Sequence, residues 1–219
     1  PKGVLITGVQ GCGKSLAARA IAGEWGYDLA RLDAGSLYDK YIGESERHLH
    51  KTLELAQKLA PMVLWIDEIE KAFAGISSSG QTDSGVSARV FGSMITWMQE
   101  KTVFVFIAAT ANVIELLPPE VLRKGRFDQI FFVTLPHAQE RKSIFSIHLK
   151  KNGVDLTRIN LDMLVKVTEG FNGAEIEQAV NGAMIEAFNA GRALNEHDII
   201  IAAGNIVPLS TTMREEIGR

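Results

Sequence analysis

Residues Gly8-Val9-Gln10-Gly11-Cys12-Gly13-Lys14-Ser15 separate a short apolar run, Val4-Leu5-Ile6, from a helix-like stretch, Leu16-Ala17-Ala18-Arg19-Ala20-Ile21-Ala22. Glycines let this backbone curl so that successive N–H groups point inward at a polyphosphate, which the positive end of the following helix also attracts. Lys14 is then placed to reach the outer phosphates and Ser15 to ligate magnesium. The strand before and the helix after supply the context that a P-loop requires. Gly8, Val9, Gln10, Gly11, Cys12, Gly13, Lys14, Ser15 and Leu16 are therefore the expected contacts for ATP with Mg2+. Cys12 admits two readings, an oxidant-sensing thiol lowered in pKa by the helix dipole or simply a small side chain where only a small one fits.

The 219 residues suffice for a generous α/β domain or a core with a small appendage, and 46% hydrophobic with 22% charged residues is an ordinary globular balance. A net charge of -3 gives no reason to expect a nucleic-acid partner. Cys12 is the only cysteine, so no internal disulfide can form, and neither a signal peptide nor a membrane-length apolar run is seen. A reducing, cytoplasmic setting is expected. Because Pro1-Lys2-Gly3 abuts the first strand with no lead-in, the chain reads as a piece of something longer.

Five apolar runs alternate with helical patterns, which predicts a parallel sheet covered on both faces: residues 3–7, 29–33, 62–67, 103–109 and 129–135. Helices are expected from Lys14, near Ser45 and near Ser87, the second with Leu49, Leu53, Leu55 and Leu59 at helical spacing. Residues 73–86, rich in Gly and Ser, read as a loop. After Pro136 the periods become helical, over residues 141–151, 161–167, 174–190 and 196–204, with Ile176, Val180, Ala183, Met184 and Ala187 as one apolar stripe. The expected fold is α/β, a five-stranded parallel P-loop NTPase sheet flanked by helices (1–136) followed by a small helical lid (137–219), hinged at Pro136 and His137.

Asp67 and Glu68 close the apolar run Val63-Leu64-Trp65-Ile66, where ligands of open α/β sheets sit. This has the form of a Walker B motif: Asp67 joins the magnesium shell, and Glu68 orients and partly deprotonates the attacking water. Glu70 reads as facing solvent or a neighbour. Asn112 follows the run Phe104 to Ala109 and can accept from that water and donate toward the γ-phosphate, although an asparagine there also serves as a turn former.

Gly8 to Ser15, Asp67-Glu68, Asn112 and Leu122-Arg123-Lys124-Gly125-Arg126-Phe127-Asp128 together resemble an AAA+ ATPase module over nearly the whole chain. More narrowly, Gly8 to Gly11, Leu64 to Ile69 and Arg123 to Asp128 resemble the AAA family encoded in algal chloroplasts and cyanobacteria. That implies ATP hydrolysis in a homo-oligomeric ring, a hexamer, acting on a protein substrate, and a chloroplast stroma location for a plastid-encoded member. It also implies catalytic roles for Lys14, Glu68, Asn112 and, in trans, Arg126. The plain alternative for Arg126 is a surface pair with Asp128 or Glu120. Gln129 stands where many members carry a second arginine. The resemblance further places Gly173-Ala174 against the nucleotide and His148 near the ribose, a histidine that could equally be structural.

Tyr41, Ile42 and Gly43 match the loop that grips an extended polypeptide in related motors, against the alternative of a locally packed tyrosine. The other functional classes left open are a slow ATP-dependent switch or scaffold and, third, a nucleic-acid remodeller.

Overall fold

A run such as Met62-Val63-Leu64-Trp65-Ile66 is stable as a strand only where helices cover both faces of its sheet. In the computed structural model, residues 1–34, 42–73, 84–123 and 125–212 are described, those of 42–46 and 84–91 by backbone alone. The elements of the sheet region are β1 (Gly3–Gly8), α1 (Lys14–Trp25), β2 (Asp28–Asp33), α2 (Ile42–Lys58), β3 (Met62–Asp67), a 3-10 helix (Ile69–Phe73), α3 (Ser84–Glu100), β4 (Val105–Ala111), α4 (Pro119–Leu122) and β5 (Gln129–Val133). All five strands are parallel in the order β2-β3-β4-β1-β5.

Alternation along β3 sends Leu64 and Ile66 to one face, with Leu49, Leu53, Met94 and Met98, and Val63 and Trp65 to the other, with Ala18 and Ala22 of α1. β4 is buried along its whole length. It runs to Ala111 rather than ending at Ala109, because β1 still pairs with it there, Ile6 opposite Thr110 and Thr7 opposite Ala111. Of the leucines expected to line α2, Leu49 and Leu53 are buried with Ala56, while Leu55 and Leu59 are exposed. Positions 49, 53 and 56 follow the i, i+4, i+7 stripe, and 55 and 59 lie to its side.

The helical region comprises α5 (Ala138–Lys151), α6 (Leu161–Val167), α7 (Gly173–Asn189), α8 (Glu196–Gly204) and α9 (Leu209–Thr212). Phe145, Leu149, Leu164, Ile176, Val180 and Ile199 form its core. α5 starts at Ala138, a turn before the expected Arg141, because His137 caps it: the His137 ring accepts the Glu140 N–H and the Glu140 carboxylate accepts the His137 N–H. The chain divides into two compact units, Pro1–Gly8 with Lys14–Val133, and Val9–Gly13 with Thr134–Arg219. Among the described residues no helix is long and apolar enough to cross a membrane.

Asp198, in the first turn of α8, takes both terminal guanidinium nitrogens of Arg192, each at 2.6 Å, and the Asn195 N–H at 3.0 Å. The Arg192 hydrogen bonds lead in holding its carboxyl at about 2, against an ordinary 3.8. A depressed folded-state pKa contributes stability that is complete above about pH 4 and is lost as pH falls toward 2. Asp198→Asn is expected to cost on the order of 1 kcal/mol at pH 7. In thermal unfolding the gap between wild type and variant should close between pH 4 and pH 2.

Candidate functional site

The loop after β1 is shaped by close approaches that only glycine permits. Gly8 has φ +125, and a Cβ there would fall 2.1 Å from the Val133 carbonyl oxygen; at Gly11, φ +74, it would fall 2.6 Å from the Asn172 side chain. The Gly11 carbonyl accepts the Ala174 N–H at 3.0 Å. A Cβ on Gly173 would approach the same carbonyl to 3.0 Å. Asn172 caps α7 by accepting the Glu175 N–H, and Glu175 accepts the N–H groups of Asn172 and Leu209. Loop and helix start are thus one hydrogen-bonded piece. Lys14, the first residue of α1, is buried and donates to the Gly8 carbonyl at 2.7 Å.

Parallel strands end on one side of the sheet, and there the ends of β3 and β4 meet the first turn of α1. The Asp67 Oδ1 accepts the Thr110 hydroxyl at 2.8 Å and the Ser15 hydroxyl at 3.3 Å, while Oδ2 accepts Nη2 of Arg31 at 2.8 Å. Glu68 has φ +50, a left-handed conformation that costs a side-chain-bearing residue about 1–2 kcal/mol. It is held by its N–H to the Thr110 hydroxyl (3.1 Å), by the Asn112 Nδ2 donating to Oε1 (3.1 Å), and by the Lys71 ammonium on Oε2. The hydrogen bond to Glu68 raises the pKa of Lys71. Asn112 is gripped a second time, its N–H donating to Glu70 Oε1 at 2.8 Å. Of the two readings of Glu70, solvent or a neighbour, the structure shows the second: the 3-10 helix after Glu68 turns it inward, where it is buried and meets Asn112.

Asp128 accepts the backbone N–H groups of Lys2 and Gly3. Among the described residues it makes no ion pair with Arg126, and neither does Glu120. Arg126 is half-buried, with Nε and Nη1 enclosed and, among the described residues, without a hydrogen-bond partner. His148 on α5 faces Glu177 of α7 at 3.6 Å. Gln10 and Leu16 are exposed, and Val9 and Cys12 are half-buried. Tyr41 lies outside the described residues, and of Ile42 and Gly43 only the backbone is described, at the start of α2. The parts played here by Thr110, Arg31, Lys71 and Asn172 go beyond the sequence reading, which gives Glu70 no role in the site. A threonine closing an apolar strand and a lysine one turn after Glu68 are the signals that pointed to two of them.

Ser15 and Asp67 offer oxygen only, which suits a hard divalent cation. Among the described residues no cluster of three or more His, Cys, Asp or Glu could hold a metal alone. Two protein oxygens fit magnesium, which keeps phosphate and water in the rest of its shell.

Residues 4–135 match the ATPase family associated with various cellular activities (AAA), and residues 158–201 match the AAA+ lid domain. The chain belongs to the AAA ATPase family. It is 50% identical over 218 residues to the uncharacterized AAA domain-containing protein ycf46 of Pyropia yezoensis and 46% identical to that of Guillardia theta, covering 99% of this chain and 44% and 43% of theirs. The proteasome-activating nucleotidase of Sulfurisphaera tokodaii is 36% identical over 210 residues, 94% of this chain and 53% of its own. The chain thus spans about half the length of these relatives, or less.

Replacing Thr110 by Val keeps the shape and removes the hydroxyl that serves both acids, leaving the Glu68 N–H and Asp67 Oδ1 short of a partner. A loss of about 1–3 kcal/mol is expected in chemical denaturation, largely recovered by Thr110→Ser.

Proposed function

We propose that this chain binds ATP with magnesium and hydrolyses it, assembles into a homo-oligomeric ring, a hexamer, and remodels or threads a protein substrate. The observation that carries the reading is the convergence of four side chains: the Thr110 hydroxyl joins Asp67 to the Glu68 N–H, Ser15 donates to Asp67, and Asn112 donates to the Glu68 carboxylate. Gly8 to Leu16 hold the phosphates through backbone N–H groups, and Lys14 exchanges the Gly8 carbonyl for a phosphate oxygen. Ser15 and Asp67 hold the magnesium, which when bound neutralises charge on the phosphate oxygens. Gly173 and Ala174 leave room for the nucleoside, and His148 borders the ribose.

Hydrolysis needs a water held in line with the γ-phosphorus. Glu68 accepts its proton as the oxygen–phosphorus bond forms, and Asn112, now on Glu68 Oε1, accepts from that water and donates toward the γ-phosphate. The charge that spreads over the phosphoryl oxygens requires a cation, and Arg126 of an adjacent copy supplies it. Tyr41, Ile42 and Gly43 grip the polypeptide. The resemblance to proteasome-activating nucleotidase supports a protein substrate and a ring.

Turnover per chain should rise with protein concentration as copies meet, and Arg126→Ala should abolish that rise with a loss on the order of 10³-fold. Glu68→Gln should retain ATP and eliminate turnover. Sizing Glu68→Gln with and without ATP tests the assembly, and a monomer at all concentrations would refute the ring.

A further inference from the structure

Asp67 carries a cation that the reaction chemistry does not call for. Arg31 stands directly opposite Trp65 in the parallel pairing of β2 with β3, and both side chains lie on the face covered by α1. From there its guanidinium lies 4.8 Å from the Trp65 ring centre and donates to Asp67 Oδ2 at 2.8 Å. The other carboxylate oxygen takes the hydroxyls of Ser15 and Thr110. Both oxygens of the expected metal-shell carboxylate are therefore engaged, one by a full positive charge.

We propose that Arg31 is a resident counter-cation for Asp67: a positioning residue that holds the carboxylate while no metal is bound, yields it on magnesium loading, and thereby sets the magnesium concentration at which nucleotide binds. The proposal rests on the assignment of Asp67 to the magnesium shell. A divalent ion beside this carboxylate repels the guanidinium and competes with it for the same charge. The Asp67 side chain is 13% exposed and stays in place, whereas the Arg31 side chain is 54% exposed and rehydrates when it leaves. The second guanidinium over Trp65, that of Arg19 at 5.4 Å, adds to the repulsion that favours departure. Without Arg31, the carboxylate would face its neighbour Glu68 with hydroxyl partners alone, so the same residue that delays the metal keeps the two acids in place before it binds.

Two measurements test this, both with adenylyl imidodiphosphate as the nucleotide. In calorimetric titrations at graded MgCl2, the half-saturating Mg2+ should fall at least threefold in Arg31→Met, which keeps the stem over Trp65 and removes the charge. It should stay within twofold of wild type in Arg31→Lys. A residue that only supports the fold would leave the value unchanged or raise it on loss, and either result overturns the proposal. The second readout keeps Arg31 and needs no variant there. In a Trp25→Phe, Trp97→Phe background, Trp65 emission should change on adding Mg2+ to the nucleotide-bound protein, over the same concentrations that tighten binding. Constant emission overturns the proposal. If wild type binds the analogue with a Mg2+ dependence that Arg31→Met leaves unshifted, only the role of Arg31 fails. If wild type binds no nucleotide, or binds it without regard to Mg2+, the assignment of Asp67 itself fails.

Discussion

Two adjacent carboxylates at the tip of a buried strand repel each other, and the site depends on how Asp67 and Glu68 are kept together. Here the backbone intervenes first. The left-handed φ of Glu68 ends the strand abruptly and gives the two acids separate surroundings. The Thr110 hydroxyl then serves both, accepting from the Glu68 N–H and donating to Asp67. Thr110 can do so because β4 is enclosed between β1 and β3, which fixes its height to the residue. The packing of a central strand is thus converted directly into the placement of two functional groups.

The loop after β1 obeys a different constraint. In the phosphate-binding role proposed for it, its backbone presents N–H groups inward, so its carbonyls need other donors. Gly11 finds one in the N–H of Ala174, an otherwise unpaired donor of the first turn of α7, and the glycines at 11 and 173 allow the two backbones to approach. Asn172, while capping the helix, fills the space beside Gly11. The helix cap and the loop after β1 are therefore one local structure.

The features legible in the sequence are those written in short windows: the alternation of strands and helices, the loop of Gly8 to Ser15, the acids closing β3, the stripe on α7. The rest required contacts between distant segments. Arg31 and Asp67 are 36 positions apart, and their meeting follows from the register of β2 on β3, which no local pattern encodes. For Glu70 the sequence leaves solvent and a neighbour both open, because the 3-10 helix that turns it inward follows the left-handed φ of Glu68. On α2, a run with leucine at 49, 53, 55 and 59 is too rich in apolar residues to reveal its buried side, and the sheet selects 49 and 53 with Ala56. The start of α5 was misplaced because histidine is an uncommon cap, and only the reciprocal bonds with Glu140 reveal it.

The cations around the acids fall into two kinds. Arg31 and Lys71 each hold a carboxylate and are more than half exposed, at 54% and 56%. Water can replace their partner, so their bonds are reversible contacts whose net strength is small. Arg126 is the opposite: two of its guanidinium nitrogens are enclosed and, among the described residues, have no acceptor. An enclosed donor without a partner carries its desolvation cost continuously, and a charged one carries more. The exposed cations are suited to letting go of what they hold. The enclosed nitrogens have no surface to offer an acceptor from another chain, so an outside partner of Arg126 must meet the rest of its side chain or draw it outward.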